Sequence, residues 1–133
     1  MIVLDTHVLI WLLLGSDRLG GDSRRKIDQA FQDDQLAVSA ISFWEVEMLK
    51  QKGRIRLDAD VGSWRQNLLK EGLVEYALDG KLGIKAVGLQ NFHSDPADRF
   101  IVSTCLLHAA ELFTVDQKIL DWRGGLLRWD AAR

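Results

Sequence analysis

The chain has 133 residues, 47% of them hydrophobic, and 17 Lys and Arg oppose 19 Asp and Glu for a formal charge of −2. This length suffices for one hydrophobic core and is too short for two ordinary domains, so a single domain over residues 1–133 is expected. The charge excludes the strongly positive field of a general nucleic-acid binder, so any contact with nucleic acid has to be local.

The first half of the chain predicts strands and helices in alternation. Ile2–Leu4 is a short aliphatic run, and the residues after it stay apolar on nearly all sides until Gly15, as in a helix buried against a sheet. The next predicted elements are a helix capped by Asp22, a strand over Leu36–Ser39 and a helix that begins at Ser42 and ends before Gly53.

The second half continues this alternation. Asp95 and Pro96 predict a helix start, because Asp is a favoured cap and proline fits the first helical position; this helix reaches about Ala110. The other predicted elements are a helix capped by Asp60, a strand over Leu73–Leu78, a short helix over Lys81–Leu89, a strand over Leu112–Val115, helical turns over Gln117–Trp122 and a strand over Leu126–Trp129. The pattern indicates an α/β fold with a mainly parallel sheet, helices on both faces and ligands beyond the carboxyl ends of the strands.

The only cysteine, Cys105, excludes an internal disulfide and favours a reducing compartment, which predicts a cytoplasmic protein. The apolar run from Val8 to Leu14 is well short of the ~20 residues that a bilayer span requires, and it has no basic leader. No membrane association is expected.

Four carboxylates, Asp5, Glu45, Asp98 and Asp116, stand where apolar runs give way to predicted helix starts. Each has an ordinary explanation, because acids cap helices and oppose the helix dipole; Ser42 with Glu45 fits a capping box. In a parallel sheet, however, these positions converge on one edge. Crowded carboxylates repel one another unless a cation or proton intervenes, and hard oxygen ligands suit Mg²⁺ or Mn²⁺.

Such a site favours hydrolysis of phosphodiesters by water, with no need for a serine, cysteine or histidine nucleophile. The histidines lack metal-cage spacing and are more simply structural, with His93 as the candidate exception because it precedes the turn from Asp95 to Asp98. Trp44, beside Glu45, is placed to stack on a base. Two short basic stretches, more simply read as solvated helix ends, offer local contacts with nucleic acid: Arg24, Arg25 and Lys26, and Lys50, Lys52, Arg54 and Arg56.

Four motifs in order resemble a PIN domain, and more narrowly the VapC-type toxins of bacterial and archaeal type II toxin–antitoxin systems. The resemblance spans nearly the whole chain. The motifs are Val3-Leu4-Asp5-Thr6, Ser39-Ala40-Ile41-Ser42-Phe43-Trp44-Glu45-Val46, His93-Ser94-Asp95-Pro96-Ala97-Asp98-Arg99 and Thr114-Val115-Asp116.

The resemblance implies a three-layer α/β/α sandwich and a Mg²⁺- or Mn²⁺-dependent endoribonuclease. It makes Asp5, Glu45 and Asp98 the metal-binding acids, with Asp116 a fourth, direct or through water, and one or two ions in the site. Thr6 and Thr114 become polar supports of this site. Arg99 has two alternatives, a contact with substrate phosphate or a structural salt bridge, whereas Asp95 is better explained as a helix cap.

The resemblance also implies a homodimer held in check by a separate antitoxin. The helices between Asp22 and Gly72 are the expected docking surface, with Trp64 and Leu68 or Leu69 as apolar anchors unless the protein's own core buries them. Two alternative functions stay open: a Mg²⁺-dependent phosphoacceptor signalling domain, which needs a lysine near its acceptor Asp, and a partner-binding module in which the acids are only caps.

Overall fold

The computed structural model describes residues 1–133, and strands and helices alternate along most of the chain. The elements are β1 (Ile2–Leu4), α1 (Thr6–Leu14), α2 (Gly21–Gln32), β2 (Leu36–Ser39), α3 (Ile41–Gln51), α4 (Val61–Lys70), β3 (Val74–Tyr76), α5 (Gly80–Val87), α6 (Pro96–His108), β4 (Glu111–Thr114), α7 (Gln117–Leu120) and β5 (Arg128–Asp130).

The five strands form one sheet in the order β3-β2-β1-β4-β5, and every neighbouring pair is parallel. The predicted mainly parallel sheet is therefore confirmed, with no antiparallel strand. β1 lies at the centre, with β2 on one side and β4 on the other. The chain thus winds outward in both directions from β1, and a crevice is expected at the carboxyl end of this strand, where the strand order reverses.

Alternating side chains of the strands pack into two separate cores, one on each face of the sheet. Val3 and Leu112 belong to one core, and the residues that follow them, Leu4 and Phe113, belong to the other. α1 and α2 cover the Leu4 face, and α6 and α7 cover the Val3 face. The molecule is therefore a three-layer α/β/α sandwich, as expected.

Most predicted boundaries agree with the structure to within a few residues. α2 begins one residue before Asp22, with Gly20 at its N-cap, so Asp22 lies in the first turn instead of capping the helix. β5 begins at Arg128, two residues later than predicted. Gly20 lies against the C-terminus: its N–H donates to the carbonyl of Ala131, and a Cβ added to it would lie 1.9 Å from the Arg133 carbonyl carbon.

Cys105 is buried and unpaired within α6, and burial raises the pKa of its thiol. None of the helices combines the length and apolar character needed to span a bilayer.

Candidate metal centre

The four predicted acids occupy the carboxyl-end edge of the sheet. Asp5 follows β1 and Asp116 follows β4 by two residues, while Glu45 lies near the start of α3 and Asp98 in the first turn of α6. β1 and β4 are hydrogen-bonded neighbours, so their ends are adjacent. The chain thus delivers four carboxylates from four separate segments to one region.

Asp5 is the most enclosed of these acids, with 6% of its surface exposed. It caps α1, because one carboxylate oxygen accepts from the Thr6 N–H at 2.8 Å, while the other accepts from Thr114 Oγ1 at 2.6 Å. Burial raises the pKa of Asp5, and repulsion from Asp116 adds to the increase, which the two hydrogen bonds and His7 only partly oppose.

Glu45 does not form the capping box that its spacing from Ser42 suggested. α3 begins at Ile41, with Ala40 at its N-cap and no side-chain cap. Glu45 Oε1 instead accepts from Thr6 Oγ1 at 2.5 Å, and Ser42 Oγ lies 2.9 Å from the same hydroxyl. Since one hydroxyl carries one proton, Ser42 is the donor in the second contact.

Asp98 extends from the first turn of α6, where Asp95 caps the helix through the Asp98 N–H. Its carboxylate Oδ2 lies 2.7 Å from His93 Nε2, and both side chains are largely buried. Ligand atoms of His93, Asp98 and Asp116 all lie within 4.8 Å of one another. His93, the exception named among the histidines, thus joins the cluster, whereas His7 is exposed and His108 stacks on Tyr76.

Electrostatics links Asp5 and Glu45 to this cluster. Burial raises the pKa of Asp98 to about 7. The hydrogen bond with His93 opposes this increase, and repulsion from Asp5, Asp95 and Asp116 adds to it. Burial also raises the pKa of Glu45, with further repulsion from Asp5 and Asp95. The protein therefore supplies too little positive charge near these acids to balance their negative charge.

The donor set fits a divalent cation. Carboxylate oxygens are the ligands preferred by Mg²⁺ and Mn²⁺, and a bound dication would relieve the mutual repulsion that raises the pKa values of Asp5, Glu45 and Asp98. The threonines predicted as supports, Thr6 and Thr114, each hold one of the acids by a hydroxyl. The structure thus provides oriented oxygen ligands and their supports in one place.

Arg99 takes neither of the two positions considered for it. Its guanidinium donates to the backbone carbonyl oxygens of Phe92 at 2.6 Å, His93 at 2.9 Å and Ala86 at 3.0 Å, with a longer contact to Val87 at 3.5 Å. It makes no ion pair with a carboxylate. Arg99 therefore ties the segment before α6 to that helix, with its donors engaged by main-chain carbonyl oxygens.

Two clefts flank the acids. One, of about 610 Å³, is lined by Glu45 and Asp95 together with apolar side chains that include Met48 and Leu78. Trp44 lies in its wall with 57% of its surface exposed, the position expected of a side chain that stacks on a base.

The second cleft, of about 570 Å³, is lined by His93, Trp122, Lys118 and Arg123 among others. Neither Lys118 nor Arg123 forms an ion pair. The basic stretches expected to contact nucleic acid lie elsewhere in the chain and are partly engaged locally: Arg25 pairs with Asp22, and Lys50 donates to the Ala59 carbonyl. The sequence offers one indication that Lys118 lies near the site, because it follows Asp116 by two residues.

Comparison with known proteins agrees with this architecture. Residues 2–123 match the PIN domain family. The chain is 35% identical to Ribonuclease VapC22 of Mycobacterium tuberculosis (strain ATCC 25618 / H37Rv) over 123 residues, which is 92% of each protein.

Two solved structures share the fold. A chain of a toxin–antitoxin complex from Klebsiella pneumoniae matches with a TM-score of 0.64 at 22% identity, over 96% of both chains. A chain of VapBC2 from Rickettsia felis, bound to a DNA fragment from its promoter, matches with a TM-score of 0.65 at 18% identity, over 98% of this chain and 100% of that one. Since the family match and the relative at 35% identity each span about nine tenths of the chain, the protein belongs to the PIN domain family, and its relatives there include the VapC group.

Proposed function

We propose that this protein is a Mg²⁺- or Mn²⁺-dependent endoribonuclease and the toxin of a type II toxin–antitoxin pair. The convergence of Asp5, Glu45, Asp98 and Asp116 at one edge of the sheet supports this proposal most directly, because the pKa values of the first three are raised by burial and mutual repulsion. A curated relative named as a ribonuclease, at 35% identity, supports the substrate class.

The four carboxylates would hold the cation, which when bound supplies Lewis-acid chemistry that lowers the pKa of a water nucleophile and neutralises charge on the phosphate. The protein's own contribution is to orient the oxygens. Thr114 and the Thr6 N–H fix Asp5, and the Thr6 hydroxyl fixes Glu45. Low exposure of Asp5 also limits the water that competes for its oxygens.

The two flanking clefts suit an RNA strand that crosses the acids. We place an unpaired base against Trp44, because exposed aromatic rings bind bases by stacking with little dependence on sequence. Lys118 and Arg123, which have no carboxylate partner, are available to phosphates on the other side. The negative charge of the whole chain is compatible with this arrangement, since the contacts are local.

An antitoxin is the proposed regulatory partner, because the structural neighbours are toxin–antitoxin complexes. An apolar groove of about 200 Å³ lies between α1, α2 and α4, and its lining includes Leu12, Leu13, Phe31 and Leu68. Of the expected anchors, Leu68 lines this groove, whereas Trp64 packs edge-on against Phe43 with ring centroids 5.9 Å apart. Leu68→Glu should weaken antitoxin binding and spare RNA cleavage by the free toxin; unchanged binding would exclude this groove.

The rival signalling function finds no support at Asp5. Its hydrogen bonds come from Thr6 and Thr114, and the charges that act on its pKa belong to His7 and Asp116, with no lysine among them. A cytoplasmic location and a homodimer complete the proposal.

Incubation of the purified, antitoxin-free protein with total RNA, with and without Mn²⁺, tests the nuclease. Asp5→Asn is the decisive variant, because it keeps a side-chain acceptor for the cap of α1, which alanine would remove. We expect Mn²⁺-dependent cleavage that falls at least ~100-fold in Asp5→Asn and persists in Asp28→Asn, an exposed acid of α2. Full activity of Asp5→Asn would overturn the assignment, and cleavage by neither protein, together with no Mn²⁺-induced thermal shift, would favour the binding-module alternative.

A further inference from the structure

We propose that His93 is a positioning residue: its hydrogen bond sets the orientation of the Asp98 carboxylate, and Arg99 holds His93 in place. This inference rests on the proposed function, because Asp98 is one of the proposed cation ligands. The contact that carries it joins His93 Nε2 to Asp98 Oδ2 at 2.7 Å, between two side chains that are 20% and 15% exposed.

The Asp98 carboxylate depends on one side-chain contact, as Glu45 does on Thr6, whereas Asp5 has two partners. Asp5 accepts two hydrogen bonds, from Thr6 and Thr114, through its two oxygens. For the Asp98 carboxylate, His93 is the one hydrogen-bond partner, since Asp95 engages only the Asp98 main chain. Without His93 the Asp98 carboxylate has no hydrogen bond to fix its orientation.

The imidazole of His93 is itself fixed by its surroundings. Its ring stacks on Phe92, with centroids 4.3 Å apart and planes inclined by 28°. Phe92 is buried and meets Trp122 edge-on at 5.3 Å, and the Trp122 indole N–H donates to the Gln90 carbonyl at 2.9 Å. The segment that carries His93 is therefore packed against Trp122 as well.

Arg99 completes the unit from within α6. Its guanidinium binds the carbonyl oxygens of both Phe92 and His93, at 2.6 and 2.9 Å, and that of Ala86 at 3.0 Å. α6 thus carries Asp98 and, at the next position, Arg99, which holds the segment that contains His93. The planar fork of arginine makes these simultaneous contacts, which a lysine ammonium with its single nitrogen cannot reproduce.

The role predicts effects on cation affinity before any effect on RNA. Partners that orient metal ligands typically change affinity by ~10- to 100-fold when they are removed. We expect His93→Ala to weaken Mn²⁺ binding to the free protein by at least ~10-fold and to lower kcat with KM for RNA unchanged. Arg99→Lys should act in the same direction, because it releases the segment that carries His93.

The experiment compares His93→Ala, His93→Gln and Arg99→Lys by calorimetric titration with Mn²⁺ and by cleavage kinetics. His93→Gln keeps a side-chain amide donor and should recover part of the affinity. His108→Ala is the matched control, since His108 ends the same helix and stacks on Tyr76, and it should bind Mn²⁺ like the wild type. Circular dichroism and thermal unfolding confirm that each variant is folded.

Three outcomes would overturn the proposal. They are unchanged Mn²⁺ affinity in folded His93→Ala, an equal loss in His108→Ala, and a glutamine variant no better than alanine, which would mean that the imidazole acts by something other than its hydrogen bond.

A spectroscopic measurement separates this proposal from the nuclease assignment. The ¹⁵N chemical shift of His93 Nε2 in metal-free protein should move in Asp98→Asn and stay in Asp28→Asn. An unmoved shift in Asp98→Asn overturns the positioning role whatever the RNA assay gives. A shift that moves, with Mn²⁺ binding but no RNA cleavage, would support the positioning role and count against the nuclease.

Discussion

Thr6 is the residue through which two of the four acids are held together. Its N–H donates to Asp5 at 2.8 Å, and its hydroxyl donates to Glu45 at 2.5 Å. The first contact depends only on the backbone, but the second depends on the side chain. A substitution at this position therefore separates the orientation of Glu45 from the capping of α1 by Asp5.

Thr6→Val replaces the hydroxyl by a methyl group of similar size and should weaken Mn²⁺ binding by about 10-fold, because Glu45 loses its one side-chain donor. Thr104→Val is the control, since the Thr104 hydroxyl donates to the Phe100 carbonyl inside α6. Calorimetric titration with Mn²⁺ measures both variants. Equal affinities for Thr6→Val and the wild type would show that Glu45 is oriented without Thr6.

Asp98 should make the metal-free protein less stable as the pH rises. Its pKa is raised from 3.8 to about 7 in the folded state, so the folded protein binds more protons than the unfolded chain between these values. The free energy of unfolding therefore falls from about pH 4 to about pH 7 and then levels off. At ~1.4 kcal/mol per pKa unit the loss is at most ~4 kcal/mol.

Urea unfolding in EDTA at several pH values checks this dependence. The stability of Asp98→Asn relative to the wild type should increase as the pH rises across that range. Asp60→Asn is a control of opposite sign at lower pH, because hydrogen bonds from Ser63 lower the pKa of Asp60 from its usual 3.8. Its carboxylate stabilises the fold above the unfolded pKa and loses that effect as the pH falls. A constant difference between Asp98→Asn and the wild type would contradict the raised pKa.

At the scale of elements, α6 and the C-terminus show how local signals and distant contacts combine. Asp95 caps α6 and Pro96 begins it, as their types predict. The start of α2 is different, because Gly20 contacts residues more than 100 positions further along the chain, which no local sequence pattern predicts. The C-terminal residue Arg133 lies against it, and the Arg133 carbonyl accepts from both the N–H and the hydroxyl of Ser23.

Alanine at two adjacent glycines should therefore have opposite effects on stability. Gly20→Ala would place a Cβ 1.9 Å from the Arg133 backbone and should cost about 1 to 3 kcal/mol. Gly21→Ala meets only the end of the Arg25 side chain at 3.9 Å and should stabilise α2 by about 0.5 kcal/mol. Thermal and urea unfolding measure both. If the two variants behaved alike, or if removal of residues 132–133 left the Gly20→Ala penalty undiminished, the contact would not be the cause.

At the scale of the whole molecule, one sheet with a core on each face accounts for most buried apolar side chains, and the large ones left outside are few. On α5, Ile84 is 78% exposed and Val87 is 82% exposed. Leu82 and Ala86 of the same helix are buried, so α5 packs by one face and leaves the other apolar. Ile84 and Val87 are therefore the natural candidates for contact with a second copy in the proposed homodimer.

Light scattering after size-exclusion chromatography tests this dimer. The wild type should have twice the 15.1 kDa mass of one chain, and Ile84→Lys combined with Val87→Lys should shift it toward the monomer. Leu14→Lys, at a side chain that is 49% exposed on α1, should leave the mass unchanged. A monomeric wild type would exclude the dimer, and a dimeric double variant would exclude this face of α5.

Much of the site was predictable, because its acids sit where local patterns change. A strand followed by an acid and a helix start is visible in residues 2–14 and again around Asp116, and parallel topology then brings such positions together. The direction of a side chain was not predictable in the same way. Ser42 and Glu45 have the spacing of a capping box, yet both turn to Thr6, which lies 36 and 39 residues away.

Apolar periodicity, caps and breakers act over a few neighbouring residues, so the order of strands and helices, the α/β class and the four acids could be predicted from local patterns. Three features become visible only in the folded chain: Arg99 binds the carbonyls of the segment before α6, His93 contacts Asp98, and Lys118 and Arg123 line a cleft. These contacts depend on how the elements pack, and the physical reason is that a polar side chain takes the partner that burial leaves within reach, whatever its spacing along the chain.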